Sequence, residues 1–218
     1  MKIKEDFVLR KVADSYVVVP VNKLTLDFNG IINLNETGAF LFEKLQNDCE
    51  KADLLKAMLD EYEVSEEKAS ADIDTFIQKL REAEREIIYS EYSERKGEIV
   101  SGLIQKADGG IVVVDLGKLE GVMPLKEQIP TEKYRVNDKI RAYVMDVERG
   151  VKGAPQVIIS RANGDFVRKL FELEIPEIYE GVIEIKSVSR DPGSRSKVAV
   201  YSPNENIDPV GSCVGQKG

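Results

Sequence analysis

Four basic side chains near the C-terminus give this chain its clearest chemical character, which is the ability to attract a polyanion. They are Lys186, Arg190, Arg195 and Lys197. The formal net charge of −8 argues against a nucleic-acid partner, but residues 1–90 carry 12 Lys/Arg against 19 Asp/Glu, whereas residues 91–218 carry 19 against 20. Local potential governs the approach of a polyanion. The second part of the chain therefore remains a candidate for binding nucleic acid.

Catalytic chemistry has little support in the residue types. The 218 residues include no histidine, which excludes Ser-His-Asp and Cys-His catalysis and imidazole metal sites. The two cysteines, Cys49 and Cys213, are too far apart for a CxxC pair, and we expect both to be reduced thiols. Glycine-rich phosphate and dinucleotide loops are also absent from the sequence. We therefore predict a binding protein rather than an enzyme, without a metal ion or a cofactor.

The same sequence predicts a cytoplasmic protein without a membrane partner. No apolar run approaches the roughly 20 residues that cross a bilayer. The N-terminal Met1-Lys-Ile-Lys-Glu-Asp6 has no apolar stretch behind its charges, so it does not resemble a secretory signal.

The elements that position candidate residues differ between the two parts of the chain. In the first part, β-branched and aromatic runs predict three short strands, at Phe7–Val12, Tyr16–Val21 and Leu24–Leu34 with Asn29-Gly30 within the third. Helical spacing then predicts three helices, at Glu36–Gln46 after the cap Asn35, at about Ala52–Tyr62, and from Ser65 past Leu80. The result is a winged-helix-like β3α3 domain.

Several segments of this first part resemble PqqD-type proteins. They are Phe7-Val-Leu-Arg10, Val17-Val-Val-Pro20, Asn33-Leu-Asn-Glu-Thr-Gly-Ala-Phe-Leu41 and Ala71-Asp-Ile-Asp-Thr-Phe76. The resemblance covers about residues 1–83 and implies recognition of leader peptides in the biosynthesis of modified peptides. It also implies that an extended peptide pairs with the edge of the third strand and lies against the third helix.

Carried onto this sequence, the resemblance places a peptide or protein partner along the edge formed by Gly30, Ile31, Ile32 and Asn33. On the third helix, Asp74 and Gln78 are the expected facing residues. The alternative for Ile31 and Ile32 is that their side chains pack into the core. Strand addition uses main-chain groups, so the backbone edge remains a candidate in either case.

The third helix continues through a charged stretch without Gly or Pro, so we predict a connecting helix over residues 84–96. The alternative is a solvated helix face with no further role. The segment Arg81-Glu-Ala-Glu-Arg-Glu-Ile-Ile-Tyr-Ser-Glu-Tyr92 is similar to the connector that follows the N-terminal domain of NusA-type transcription factors. A natural fusion, an artificial joining of two genes and a recombination artefact all remain open as its origin.

Strand runs separated by glycine turns follow from Gly97. They are Glu98–Lys106, Ile111–Leu116, Leu119–Pro124, Lys139–Val147 and Gln156–Ser160. Five short strands with this punctuation predict a small OB-type barrel over residues 97–162. The complete chain is therefore expected to be an α+β multidomain protein.

The second part resembles NusA-type proteins over about residues 81–218. Gly97-Glu-Ile-Val-Ser-Gly102, Val114-Asp-Leu-Gly117, Glu127-Gln-Ile-Pro130 and Ile158-Ile-Ser-Arg161 are similar to their S1-type domain. The start of their first KH domain is matched by Leu170-Phe-Glu-Leu-Glu-Ile-Pro-Glu-Ile-Tyr-Glu-Gly181, Arg190–Val200 and Asp208–Gly218. The resemblance implies a partial KH domain over residues 163–218, binding of single-stranded RNA, and a role in transcription elongation, termination or antitermination.

In KH domains a GxxG loop contacts the RNA backbone, because glycines permit close approach and a cation attracts phosphate. Here the resemblance assigns that loop to Gly215, Gln216, Lys217 and Gly218. Further candidate RNA contacts are Arg190, Arg195 and Lys197 in the KH part and Lys118, Lys126, Arg149, Lys152 and Arg161 in the S1 part. The alternative for these surface cations is that they are only solvated.

Two departures from the NusA pattern affect the expected RNA contact. The sequence stops at Gly218, so we expect an incomplete KH domain. Val113 and Pro124 stand where many S1 domains carry base-stacking aromatic residues, each base stack contributing about 1–3 kcal/mol. We therefore expect mainly electrostatic RNA binding.

The N-terminal domain that implies RNA polymerase attachment in NusA-type proteins is replaced here by the PqqD-like part, so polymerase is only a possible partner. The competing interpretation is a leader-peptide recognition adaptor for modified-peptide or quinone-cofactor biosynthesis, in which the second part contributes little.

Overall fold

The protein divides into two compact units, Met1–Glu91 and Tyr92–Gly218. A computed structural model describes residues 7–12, 15–20, 32–150 and 153–214 of them. The division falls inside the stretch 84–96 that the sequence assigns to a connecting helix. The helix Glu66–Glu94 spans this division, and every other described helix or strand lies within one unit.

The first unit begins with a three-stranded antiparallel sheet in the order β1-β2-β3. These strands are β1 (Phe7–Val12), β2 (Ser15–Pro20) and β3 (Ile32–Leu34). The register pairs Leu9 with Val18 and Val18 with Ile32, so the completely buried Val18 lies on the central strand. The part of the predicted third strand before Ile32 lies outside the described residues.

Three helices follow, α1 (Glu36–Lys44), α2 (Lys51–Glu61) and α3 (Glu66–Glu94). The Asn35 side chain accepts a 2.9 Å hydrogen bond from the Gly38 amide, which is the cap that the sequence predicts for α1. Their apolar faces enclose one core, whose buried members include Leu41, Phe42, Leu54, Met58, Ala69, Ile73 and Phe76. The expected β3α3 order is therefore observed.

The second unit contains a closed five-stranded barrel in the order β4-β5-β6-β8-β7. The strands are β4 (Ile99–Asp108), β5 (Ile111–Asp115), β6 (Glu120–Pro124), β7 (Lys139–Arg149) and β8 (Pro155–Ser160). Strands β6 and β8 pair in parallel, and the other neighbours are antiparallel. Alternate side chains fill the interior, among them Val114, Met123, Val144, Val157 and Ile159. The barrel and its strand positions confirm the expected S1-type, OB-like fold.

After the barrel come α4 (Gly164–Glu174), the short α5 (Pro176–Tyr179), the hairpin β9 (Glu184–Asp191) and β10 (Arg195–Tyr201), and the short α6 (Pro209–Cys213). Asn163 caps α4 by accepting a 2.8 Å hydrogen bond from the Asp165 amide. One face of the hairpin packs on α4. This part carries four of the basic residues singled out in the sequence, Lys186, Arg190, Arg195 and Lys197.

Candidate functional site

The basic residues of the β9–β10 hairpin lie on two faces and have different surroundings. Arg195 and Lys197 are exposed, alternate along β10 and so lie on one face of the hairpin. Neither side chain forms an ion pair within the described ranges 7–12, 15–20, 32–150 and 153–214. Lys186 is also exposed, but its ammonium group pairs with Glu184 and lies 4.9 Å from the centroid of the Tyr201 ring.

Arg190 occupies the other face and has a structural position. It is half-buried, and its Nη1 donates a 2.8 Å hydrogen bond to the carbonyl oxygen of Asn163, at the start of α4. Its guanidinium carbon lies 5.6 Å from the centroid of the Phe166 ring. The interaction ties β9 to α4. Whether Arg190 also contacts RNA stays a prediction.

Arg161 is likewise held by neighbouring groups. Its Nε donates a 2.6 Å hydrogen bond to Glu132 Oε2, and its Nη2 pairs with the other carboxylate oxygen of the same residue. Its Nη1 donates a 2.6 Å hydrogen bond to the Arg141 carbonyl oxygen. The guanidinium carbon lies 5.1 Å from the centroid of the Phe166 ring, so Phe166 contacts both Arg161 and Arg190.

The pKa values in this cluster follow from burial and charge. Burial alone would raise the pKa of Glu132, but hydrogen bonding and charge from Arg161 outweigh it and hold that pKa below its ordinary value. Burial, followed by the positive charge of Arg161, lowers the pKa of Arg190. Burial is also the main reason that the pKa of Tyr134 is raised. Glu132 is therefore an ionised, paired carboxylate.

The remaining predicted RNA contacts are spread over the barrel surface. Lys118 is exposed in the turn between β5 and β6, and Arg149 is exposed at the end of β7. Lys126 is also exposed, with its Nζ 3.9 Å from Glu127 Oε1. Lys152 and the loop Gly215–Gly218 lie outside the described residues.

The outer face of β5 and β6 is aliphatic where many S1 domains carry aromatic rings. Val113 pairs with Val122 across the two strands, and Ile111 pairs with Pro124. Ile111 is 47% exposed, and Leu125, just beyond β6, is 69% exposed. This face offers apolar contact area without a base-stacking ring, as the sequence predicts from Val113 and Pro124.

A second feature of this unit was missed at the sequence level. A cavity of about 620 Å³ lies between the barrel and α4. It is lined by Ser101, Ile104, Glu132, Lys133, Tyr134, Asp138, Lys139, Ile140, Arg141, Arg161, Phe166 and Leu170. The sequence sign of it was a basic run that ends in β7, in which Lys133 and Arg135 flank Tyr134 and Lys139 and Arg141 follow.

In the first unit, β3 pairs with β2 and, among the described strands, lies at the end of the sheet. A groove of about 420 Å³ runs beside it. Asn33 and Leu34 of β3 and the face of α3 that carries Asp72, Thr75, Phe76 and Lys79 line this groove, together with Asn35, Thr37, Gly38 and Leu41. The edge and the helix therefore lie on two sides of one groove.

The predicted peptide contacts divide between this groove and other surfaces. Asn33 lines it, while Ile32 packs its side chain against the core, and Gly30 and Ile31 lie outside the described residues. Asp74 forms a 2.6 Å ion pair with Lys51 of α2, and Gln78 donates a 2.9 Å hydrogen bond to Glu82. Neither Asp74 nor Gln78 lines the groove, although Gln78 follows the groove residue Thr75 by three positions and so neighbours it on the helix surface. Peptide contact by any of these residues stays a prediction.

Neither unit offers an obvious metal or thiol site among the residues described. In ranges 7–12, 15–20, 32–150 and 153–214, no group of three or more Asp, Glu or Cys side chains is placed to hold a metal ion. Burial raises the pKa of both the Cys49 and the Cys213 thiol. Within the same ranges, no helix combines the length and apolarity needed to span a bilayer.

Family comparisons agree with this division of the chain. The model for coenzyme PQQ synthesis protein D (PqqD) matches residues 16–84. The model for the S1 RNA binding domain matches residues 93–155, and that for the NusA-like first KH domain matches residues 161–218. Thus a PqqD-type segment covers the groove, the S1-type segment covers the barrel strands β4 to β7, and the KH-type segment covers the hairpin.

The relatives that match the S1-type and KH-type segments are NusA proteins. The chain is 51% identical over 141 residues to the transcription termination/antitermination protein NusA of Halalkalibacterium halodurans. It is 47% identical to NusA of Bacillus subtilis over 141 residues and 46% identical to NusA of Thermus thermophilus over 142. The second unit is NusA-like in sequence.

Each of these matches is partial. Each covers 65% of this chain but only 36–38% of the NusA relative, so the chain spans little more than a third of the NusA proteins it resembles. Among solved structures, TbiB1 in complex with the TbiA(beta) leader peptide aligns with a TM-score of 0.31 and 20% identity. That alignment covers 37% of this chain and 88% of the TbiB1 chain, and a likeness at this score is too weak to support a functional assignment.

Proposed function

We propose that the NusA-like second unit binds single-stranded RNA and acts in transcription elongation, termination or antitermination. The observation that carries this proposal is the 45–51% identity to NusA proteins over a region matched by the S1 and first KH family models. Both domain types recognise single-stranded nucleic acid through backbone contacts and unstacked bases. Because the chain spans little more than a third of its NusA relatives, the transcription role is proposed for this chain and not taken directly from them.

The hairpin supplies the side chains best placed for phosphate contact. Arg195 and Lys197 project from one exposed face of β10 and have no ion-pair partner in the described part of the chain. Lys217, between the glycines of Gly215–Gly218, is the further cation that the KH resemblance assigns to RNA. Lys118, Lys126, Arg149 and Lys152 are secondary candidates, whereas Arg161 and Arg190 support the fold around Phe166.

The first unit is proposed to bind an extended peptide by strand addition at β3. Support comes from the PqqD match over residues 16–84 and from the groove between β3 and α3. Leu34, Leu41 and Phe76 give the groove an apolar floor, while Asp72 and Lys79 stand among its polar residues. The second candidate function, a leader-peptide adaptor for modified-peptide or quinone-cofactor biosynthesis, rests on this groove.

Neither proposed activity requires catalysis. We propose a cytoplasmic binding factor without enzymatic activity, on the basis of its likeness to NusA, S1 and KH proteins. RNA polymerase is a possible partner because the relatives are transcription termination/antitermination proteins. The matches to those relatives cover little more than a third of their length, so polymerase contact is the less supported of the two transcription proposals.

The RNA proposal is tested by charge reversal on the hairpin. We expect the double variant Arg195→Glu/Lys197→Glu to bind labelled oligouridine at least about tenfold more weakly than the wild-type chain in low salt. Its log–log salt slope should be shallower by ~1.4, because each phosphate contact on single strands contributes ~0.7. Lys56→Glu, an exposed reversal on α2, is the matched control and should leave RNA affinity nearly unchanged. Equal affinity of the double variant and the control would contradict the assignment of this face.

A further inference from the structure

The cavity between the barrel and α4 has no role in the RNA contacts proposed above for the hairpin and the GxxG loop. Barrel residues Ser101, Ile104 and Ile140 form one side, and Phe166 and Leu170 of α4 form another. The segment between β6 and β7 closes it with Tyr134. Its volume of about 620 Å³ falls within the roughly 300–1,000 Å³ of small-molecule pockets. The cavity can therefore accept a group the size of a nucleotide.

Basic side chains form part of the lining of this cavity. Lys133, Arg135, Lys139 and Arg141 fall within nine residues, and all four are exposed. Lys133 and Lys139 both line the cavity and have no ion-pair partner among the residues described at 32–150 and 153–214. Arg141 also lines it, with its Nη1 3.0 Å from Glu174 Oε1. Two lysines thus remain available to an anion.

Of the two acidic residues that line the cavity, Glu132 is paired and Asp138 is not. Glu132 is held by two nitrogens of Arg161 and by the hydroxyl of Tyr134. Asp138 is the remaining carboxylate in the lining, and no ion pair engages it within the described residues. Two unpaired cations therefore face one unpaired anion, an arrangement that favours a negatively charged ligand with Asp138 acting against it.

The other lining residues of the cavity include apolar and aromatic side chains. Ile104 and Ile140 are buried barrel residues, and Phe166 is 4% exposed. The ring of Tyr134 is fixed because its hydroxyl oxygen accepts a 2.9 Å hydrogen bond from the Ile129 amide and bonds to Glu132. The apolar and aromatic lining, together with the unpaired Lys133 and Lys139, suits a ligand with a flat apolar part and an anionic part. A nucleotide of an RNA strand has that combination.

We propose that this cavity is an additional binding site for single-stranded RNA, in which one base enters against Tyr134 while Lys133 and Lys139 contact flanking phosphates. The proposal rests on the proposed RNA-binding function and names residues other than Arg195 and Lys197. In this arrangement the barrel takes part in RNA binding through the junction with α4 and not through the aliphatic face of β5 and β6.

The test uses the full chain and labelled oligouridine at several salt concentrations. Lys133→Glu/Lys139→Glu should reduce affinity at least about tenfold and reduce the salt slope by ~1.4. Asp138→Asn should raise affinity, because it removes a repulsive charge without removing a cation. The two variants are thus expected to change RNA affinity in opposite directions. Loss of folding would weaken binding in both, so this difference separates a binding role from a structural one. Lys56→Glu again serves as the matched control.

A photochemical readout locates the base. Oligouridine carrying 4-thiouridine should crosslink to the peptide containing Tyr134, and the crosslink should fall in Lys133→Glu/Lys139→Glu. Wild-type-like affinity of that double variant, or weaker binding by Asp138→Asn, would overturn the cavity proposal. If Arg195→Glu/Lys197→Glu still weakens binding in that case, the proposed function stands and only the cavity site fails. Absence of RNA binding by the wild-type chain in low salt would overturn both.

Discussion

Arg161 and Glu132 form a forked ion pair that joins the end of the barrel to the segment before β7. Arg161 directly follows β8, and its Nε donates a 2.6 Å hydrogen bond to Glu132 Oε2, while its Nη2 bonds the second oxygen. The same guanidinium lies against Phe166 of α4, and Arg190 of β9 lies 5.6 Å from the centroid of that ring. One ion pair therefore stabilises the junction of barrel, helix and hairpin.

Truncation of Arg161 should loosen this junction. Arg161→Ala leaves Glu132 without its forked partner and is expected to destabilise the second unit by about 1.5–3 kcal/mol, the range for hydrogen bonds to charged groups. Arg161→Lys should recover only part of the loss, because an ammonium group cannot form the fork. Amide hydrogen exchange of β7 and β8, followed by mass spectrometry, measures the effect. Arg195→Ala is the control and should change the free energy of exchange by less than about 0.5 kcal/mol. Equal protection of β7 and β8 in all three variants would contradict the role of the ion pair.

The same pair predicts an acid-sensitive junction. Arg161 holds the pKa of Glu132 in the folded protein below its ordinary value of 4.5. Ionised Glu132 therefore contributes stability that is fully present above pH 4.5 and is lost as the pH falls through the lowered folded pKa. Glu132→Gln should be less stable than the wild type at neutral pH, and the difference should shrink in acid. Thermal unfolding from about pH 7 to about pH 3 measures this difference, and a constant offset across that range would refute the assignment.

Gly193 contacts the barrel segment closely enough to exclude a side chain. Its φ is +84°, and a Cβ atom there would lie 2.5 Å from Thr131 Oγ1 and 3.0 Å from Ile129 Cγ2. Gly181 has a similar φ of +75°, but a Cβ atom added there would meet nothing within 4 Å. Gly181→Ala therefore measures backbone strain alone, about 1 kcal/mol. Gly193→Ala should cost more than Gly181→Ala in chemical unfolding, and equal costs would show that the hairpin tip moves freely away from Thr131.

The groove in the first unit distinguishes two faces of α3. Thr75 lines the groove beside β3, whereas Gln78 does not. Peptides selected from a displayed random library on the wild-type chain should lose at least about tenfold in affinity, roughly 1.4 kcal/mol, on Thr75→Arg, because the larger side chain fills the groove. Gln78→Arg adds the same charge at a nearby position that does not line the groove and should bind normally. The opposite pattern would favour the face that carries Asp74 and Gln78, and RNA affinity should be unchanged in both variants.

Local pattern was sufficient to predict most of the fold. Strands β4 to β8 were predicted within two residues of their observed ends, because alternating β-branched residues and glycine turns are short-range features. The Asn35 cap was equally local, since it acts through an amide three residues away. The five-stranded barrel was predicted from the strand runs and the resemblance to S1-type domains and is confirmed, whereas the order of the strands around it became known only from the structure.

The environment of individual side chains was harder to predict, because it depends on contacts between distant residues. Arg161 was treated as a surface cation, yet its partner Glu132 is 29 residues away in sequence, and no spacing rule connects them. Helical spacing predicted the helix α3, whose Ile73 and Phe76 are buried, but it could not show which face of the helix borders β3. The basic run around Tyr134 was visible in the sequence, but its link to a cavity depends on the packing of α4.

The central claim is that the NusA-like second unit binds single-stranded RNA, and a salt titration of the full chain tests it most directly. Labelled oligouridine is titrated with wild-type protein at several salt concentrations, and the logarithm of the binding constant is plotted against the logarithm of salt concentration. We predict measurable binding in low salt and a negative slope of ~0.7 for each phosphate contacted. Absence of binding in low salt would contradict the claim and leave the peptide-binding groove of the first unit as the better-supported activity.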